Sequence, residues 1–290
     1  MEKKAVKPVY TEVHQLMEWK RYKEALKAAD RILRNDPEDA DAYALIARIH
    51  SLMDEYEKAL HWAGEALKRS PEHELAWFVR VGVYYETNKE KEFNEALQEA
   101  LRIDPYETQY YFLKANRLNG KKRFHEAKEQ LLKALEMKPE TPLYLAALSY
   151  TEALLGNIGE SRRLDRQAIG YGAEAPYTLL YLAWAAGQRG DFDLQESYMR
   201  SAVRLNPESR QFQNEYLEAL QHNQIVFRIF LWPTIALRRM KPWQLFISWI
   251  VAWFLFKPLL ILFIFLYVLA HWLAKGIVHV RVFGWRRRGS

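Results

Sequence analysis

Two hydrophobic patterns divide this 290-residue chain. As far as about residue 209, small and apolar positions recur at one fixed spacing. Ala66, Ala100, Ala134, Ala168 and Ala202 each precede an aliphatic residue (Leu67, Leu101, Leu135, Ile169 and Val203). Five residues after each alanine comes Pro71, Pro105, Pro139, Ala173 or Pro207, and Pro37 carries the proline beat one period back. Tyr22-Lys-Glu-Ala25, Tyr56-Glu-Lys-Ala59 and Phe124-His-Glu-Ala127 share a third phase, and Gly156-Asn-Ile158 and Gly190-Asp-Phe192 stand at the equivalent turn later on. Proline at each beat ends a helix, because it lacks an N–H and disfavours helix at the residue before it. Alanine lets two helices approach closely. One such pair cannot bury its apolar face alone, so neighbours are expected to stack.

Beyond residue 224 the apolar residues run together. IVFRIFLWPTIALRR (residues 225–239) contains Arg228, Arg238 and Arg239 and is split by Pro233, which predicts an interfacial amphipathic segment over 224–241. Residues 242–276 hold two apolar runs, Trp243–Phe256 and Leu259–Ala274, joined by Lys257-Pro258. At 1.5 Å per residue these would reach about 21 and about 24 Å, short of a hydrocarbon core of about 30 Å. Residues 242–276 are therefore expected to form either a helical hairpin bent at Lys257-Pro258 or a single membrane helix carrying a lysine near its middle. A helical pair buried in protein is the third arrangement the pattern allows. A basic tail, 277–290, follows.

Composition sharpens the division. The chain is half hydrophobic, with only 12 Gly and 11 Pro, which predicts an all-α protein. It has no cysteine, which excludes disulfides, thiolate metal sites and cysteine nucleophiles. Residues 1–223 carry 32 Lys and Arg against 36 Asp and Glu; residues 224–290 carry ten basic residues, no acid and six of the ten tryptophans. Arg238, Arg239 and Lys241 precede the apolar block, and Lys275, Arg286, Arg287 and Arg288 follow it. The positive-inside rule places both flanks in the cytoplasm, against an anionic bilayer rather than nucleic acid. The first fifteen residues have no apolar h-region, so the repeats are expected on the cytoplasmic side as well.

The period and its marks resemble the tetratricopeptide repeat (TPR) family, over residues 6–209 as six units. In that family the first helix of each unit presents an aromatic residue and then a Leu or small residue, as in Tyr43…Ile46-Ala47, Trp77…Arg80-Val81, Tyr111…Lys114-Ala115 and Leu179…Leu182-Ala183. The first unit departs from the pattern, with Val9, Glu12 and Val13 at those places. The third has Glu90 at the turn position and Phe93 three residues late, and the fifth has Ser161 where Ala is usual. The resemblance implies a solenoid over 1–209, a polar capping helix over 210–223 and a concave groove lined by the first helices. Phe78, Tyr85, Phe112, Tyr150, Tyr177, Tyr181 and Trp184 are the groove residues expected to receive a protein partner, as a peptide or a helix. Large aromatic residues also serve as core in such stacks. The basic grip on a C-terminal carboxylate known in some relatives is not implied, because Tyr10 and His14 stand at its first-unit positions.

No catalytic constellation is legible. The eight histidines show no i, i+4 pair, and there is no HExxH, Walker A or GxSxG motif. Gly170-Tyr-Gly172 lacks the third glycine and the strand of a dinucleotide loop, and Asp191-Phe-Asp193 falls at a repeat turn. No enzyme activity, cofactor, metal or small-molecule substrate is expected. The chain reads as a membrane-anchored cytoplasmic scaffold. Two other readings are an assembly or quality-control factor for membrane proteins and a non-catalytic subunit of a membrane enzyme complex.

Overall fold

The structure, a computed structural model, describes residues 8–224 and 242–283, and every regular element among them is an α-helix. Six hairpins follow one another: α1 (Pro8–Glu18) with α2 (Tyr22–Asn35), α3 (Ala40–Leu52) with α4 (Tyr56–Arg69), and α5 (Glu74–Glu86) with α6 (Glu90–Ile103). Then come α7 (Thr108–Gly120) with α8 (Phe124–Met137), α9 (Pro142–Leu154) with α10 (Ile158–Gly170), and α11 (Pro176–Arg189) with α12 (Phe192–Leu205). A lone α13 (Arg210–His222) follows, and a long α14 (Pro242–Phe283) comes last. The helices are those of a TPR-like solenoid. They form two compact units, 1–113 and 114–290, divided inside α7.

The period is written in the backbone as well as the side chains. Lys20, Asp54, Asn88, Lys122, Gly156 and Gly190, each one period after the last, have positive φ between 56° and 82°. Each closes a first helix. The following amide reaches back five residues, as in Arg21 to the Leu16 carbonyl (2.8 Å), Arg123 to Leu118 (2.9 Å) and Asp191 to Ala186 (2.9 Å). That bond satisfies a carbonyl the helix end would otherwise leave open. Glycine takes the left-handed conformation freely, and the other four hold it at a steric cost.

Packing within each unit follows the alanine phases. Ala25, Ala59 and Ala127 are buried, as are Ala66, Ala100, Ala134, Ala168 and Ala202. In the first unit Ala25 shares one core cluster with Val13, Leu45, Ile46 and Ile49, and Ala59 and Ala66 share a second with Val79 and Val83. Phe93 is not a late aromatic: it occupies the Ala25, Ala59 and Ala127 phase, is buried, and packs on Tyr85 at 5.8 Å.

The second unit carries a polar island in its core. Ser149, Ser161 and Asp165 stand at phases that elsewhere hold residues such as Ala115, Ala127 and Leu131. They surround Arg189, whose side chain is 0% exposed. Its guanidinium donates to Asp165 Oδ2 (2.6 Å), Ser161 Oγ (2.6 Å) and Asp191 Oδ2 (3.1 Å), while Arg162 pairs with Asp191 from outside (2.9 Å). A buried charge is tolerable only when paired and hydrogen-bonded in this way.

The C-terminal region is one helix and not a hairpin. The backbone of α14 stays helical through Lys257-Pro258, so the chain does not turn back there, and the helix continues past 276 to Phe283. Two flanking apolar runs outweigh the one hydrogen bond that proline deletes. The result is a 42-residue helix, about 63 Å long. Ala270, Ala274 and Val278 are buried. Adjacent to them, His271 lies close enough to His222 for their charges to interact, so this is the face turned toward α13. Trp243, Phe246, Trp249, Ile261, Phe265 and Trp272 are exposed.

Candidate partner-binding site

Three of the seven expected groove residues meet in the second unit. Tyr150 on α9 and Trp184 on α11 are one period apart and share a phase, with ring centroids 5.6 Å apart. Tyr181, one turn before Trp184, completes the cluster at 5.2 Å from Trp184 and 6.4 Å from Tyr150, both edge-on. Tyr181 is only 8% exposed and forms the floor, whereas Tyr150 and Trp184 are half-buried and face outward in part. The fourth member is Glu215 of α13. Trp184 Nε1 donates to its Oε2 at 2.7 Å. Burial holds the Glu215 carboxyl above the ordinary carboxylate range, against the indole hydrogen bond, which lowers it; the nearby Glu218 charge raises it further. Burial, then the Glu215 charge, push the Tyr150 phenol up.

The other expected residues lie apart from this cluster. Tyr177 is 56% exposed and packs edge-on against Phe212 at 5.3 Å. Phe112 is buried, so it is core rather than groove. Tyr85 is turned into its own hairpin against Phe93. Phe78 lies between Tyr110 (6.1 Å) and the Arg48 guanidinium (5.0 Å). On a stacked helix, residues three or four apart share a face, so the same stripe supplies both core and surface. That is why aromatic type alone does not separate the two. Glu215 was missed because 210–223 read as a polar cap. The period points to it all the same, since it stands at the Tyr181 phase, one repeat on.

In the first unit a cleft of about 460 Å³ is lined by Tyr10, His14, Asp41, Leu45, Glu72, His73, Glu74 and Leu75. Tyr10 donates to Asp39 (2.5 Å), and His73 Nε2 lies 3.0 Å from Asp41. The lining is acidic, opposite in sign to a grip on a carboxylate. Among the described residues no three His, Asp or Glu side chains come together as metal ligands.

Of the expected membrane-interface residues, Lys275 is exposed on α14. Arg238, Arg239, Lys241, Arg286, Arg287 and Arg288 lie outside the described residues, as does most of the 224–241 segment. Among the described residues, Ile261–Val280 of α14 is long and apolar enough to cross a membrane.

Comparison with known proteins supports the TPR family. Residues 18–103 match the family described as anaphase-promoting complex, cyclosome, subunit 3, and residues 108–141 match the tetratricopeptide repeat family itself. No curated protein sequence matches the chain. Among solved structures it is similar to PilF of Pseudomonas aeruginosa (20% identity, 73% of this chain, 96% of that one, TM-score 0.57). It is also similar to PilW, described as a widely conserved type IV pilus biogenesis factor (18%, 73% and 99%, 0.58). A third likeness is to the APC/C hetero-tetramer Cut9–Hcn1 (18% identity, TM-score 0.58), where 80% of this chain covers 45% of that one. At these identities the likeness is one of fold.

Proposed function

We propose that this chain is a membrane-anchored, non-catalytic scaffold. In this reading its repeats hold a protein partner and α14 fixes that event at a bilayer. The observation that carries it is the contrast between a TPR-like array, whose helices bury their apolar faces on one another, and α14, most of whose described apolar side chains are exposed. A helix apolar all round needs a hydrocarbon surrounding or a protein cover. Ile261–Val280 has 20 residues, about 30 Å of helix, which matches a bilayer core. The basic residues on either side of this span suit anionic headgroups, and because a single crossing separates them they meet opposite faces of the bilayer, not the cytoplasmic face alone.

Within the array, Tyr150 and Trp184, with Tyr181 beneath them and Tyr177 nearby on α11, are the proposed partner contacts. Half-buried aromatic residues are the usual anchors of such binding. Phe112 and Tyr85 are withdrawn from that role by their burial and packing.

The test is co-flotation with vesicles containing phosphatidylserine. The full chain should float and the 1–222 fragment should stay in the aqueous phase. If both stay in the aqueous phase, the anchoring reading fails. Crosslinking from Trp184, replaced by a photoreactive residue, should then capture a protein. A single soluble partner supports the scaffold reading, and many nascent membrane proteins would support an assembly role instead.

A further inference from the structure

We infer that the corner formed by Tyr150, Trp184 and Glu215 receives an arginine side chain of the partner. The inference rests on the scaffold reading above and adds the chemistry of the contact.

The carboxylate is the first ground. Glu215 is half-buried, and its one hydrogen bond comes from a neutral indole. No cation pairs with it among the described residues. The other sequestered carboxylates of this unit are all paired: Asp165 and Asp191 with Arg189, and Glu152 with Lys128 at 2.7 Å. Removing a carboxylate from water without a counter-charge is unfavourable, and a cation arriving from outside reverses that.

The rings are the second ground. The face of Trp or Tyr attracts a cation through its quadrupole. Among the described residues this protein already uses that contact in its first unit, each time with arginine. Arg48 stands 5.0 Å from the Phe78 centroid, Arg69 4.0 Å from Tyr43, and Arg80 5.0 Å from Trp77. Tyr150 and Trp184 have the same kind of face and a carboxylate beside it, with no such internal arginine over either ring among the described residues. A guanidinium fits better than an ammonium. It is planar, stacks on a ring, and still presents an edge N–H to Glu215 Oε1, the oxygen that Trp184 does not use. Glu218, one repeat after Trp184 and largely exposed, adds negative charge at the approach.

The test uses the full chain in dodecyl maltoside micelles. The probe is Nα-acetyl-arginine methylamide, with the neutral citrulline analogue as its isostere. The readout is the indole Nε1–H resonance of Trp184, identified by its loss in Trp184→Phe. The arginine probe should shift that resonance saturably at a concentration on the order of millimolar, and the citrulline probe should bind about tenfold more weakly. Glu215→Gln keeps the shape and an acceptor for the indole, and should weaken the arginine probe by about tenfold while leaving the circular dichroism spectrum unchanged. The inference is overturned if the two probes bind equally, if Glu215→Gln binds the arginine probe as tightly as the parent, or if no saturable shift occurs. Flotation and partner capture that persist without guanidinium binding remove this corner alone. Guanidinium binding that persists without flotation removes the anchoring reading alone.

Discussion

The two compact units solve the same packing problem with opposite electrostatics. In the first, arginines lie over surface rings: Arg48 on Phe78, Arg69 on Tyr43, and Arg80 on Trp77 and Tyr84. The aromatic surface there is covered from within. In the second, the arginine with the deepest burial is committed to acids: Arg189 sits in the core among Asp165, Asp191 and Ser161. The half-buried rings Tyr150 and Trp184 are left beside a carboxylate. Aromatic positions in a repeat array thus differ less in their rings than in where the nearest cation has been placed.

The sharpest way to break this contrast is Arg189→Ala. It strands Asp165 in the core without a counter-charge, a loss of about 3–5 kcal/mol. Thermal denaturation of the 1–222 fragment should show the second unit melting far below the first. A change under about 1 kcal/mol would mean that the polar island contributes nothing specific. In the first unit, Arg48→Ala should cost about 1–2 kcal/mol, combining a ring contact with the packing of its stem. The same melt reads it out, with the loss confined to residues 1–113 if hydrogen exchange is followed by segment.

Turn chemistry gives the next step down. Lys20→Gly relieves a side chain held at φ 58° and should stabilise the first unit by up to about 1 kcal/mol. Gly190→Ala imposes that strain at φ 81° and should destabilise the second unit by about 1 kcal/mol or more. If both changes lower the melt, the left-handed turn is not what the repeat period preserves.

The smallest effect concerns pH, and here two acids of the second unit oppose each other. Burial would raise Asp191, but hydrogen bonds from Arg162 and Arg189, with their charges, outweigh it and leave its pKa lowered. Its stabilising contribution is complete above the ordinary value of 3.8 and is lost as pH falls through the lower folded value. Glu215 is raised by burial, so it favours the fold below the ordinary 4.5, and that advantage disappears as pH rises through the folded value. Glu215→Gln should therefore raise the melting temperature at pH 7 by roughly 2 °C and leave it unchanged at pH 4. A drop at pH 7 would show that the ionised carboxylate supports the array instead of waiting for a partner.

The period made the hairpins and their prolines legible, because each alanine and proline has a fixed steric job. It also held two signals that composition obscured. Ser149, Ser161 and Asp165 interrupt apolar phases, and that interruption is the mark of the Arg189 island. Glu215 repeats the phase of Tyr181 inside a segment whose polarity suggested only a cap. Burial was less legible. Tyr181 and Trp184 are three residues apart, yet one forms the floor of the cluster and the other half its wall, a distinction set by neighbouring helices that one strip of sequence does not contain. The division inside α7 has no composition mark at all. Of the arrangements expected for 242–276, the continuous helix is the one present, because the apolar runs on either side of Lys257-Pro258 outweigh the one hydrogen bond that proline deletes.

The alanine face of α14 has a consequence for how anchoring and the array depend on each other. Ala270 and Ala274 lie at the centre of Ile261–Val280, the stretch suited to crossing a bilayer, and the same face is turned toward α13. Helix α13 carries Arg210, Glu215, Glu218 and His222 and cannot follow into hydrocarbon without a large penalty. Docking and insertion therefore draw on one surface and exclude each other. By reciprocity, whatever tightens the hold of α13 on this face weakens the bilayer insertion proposed above by the same factor.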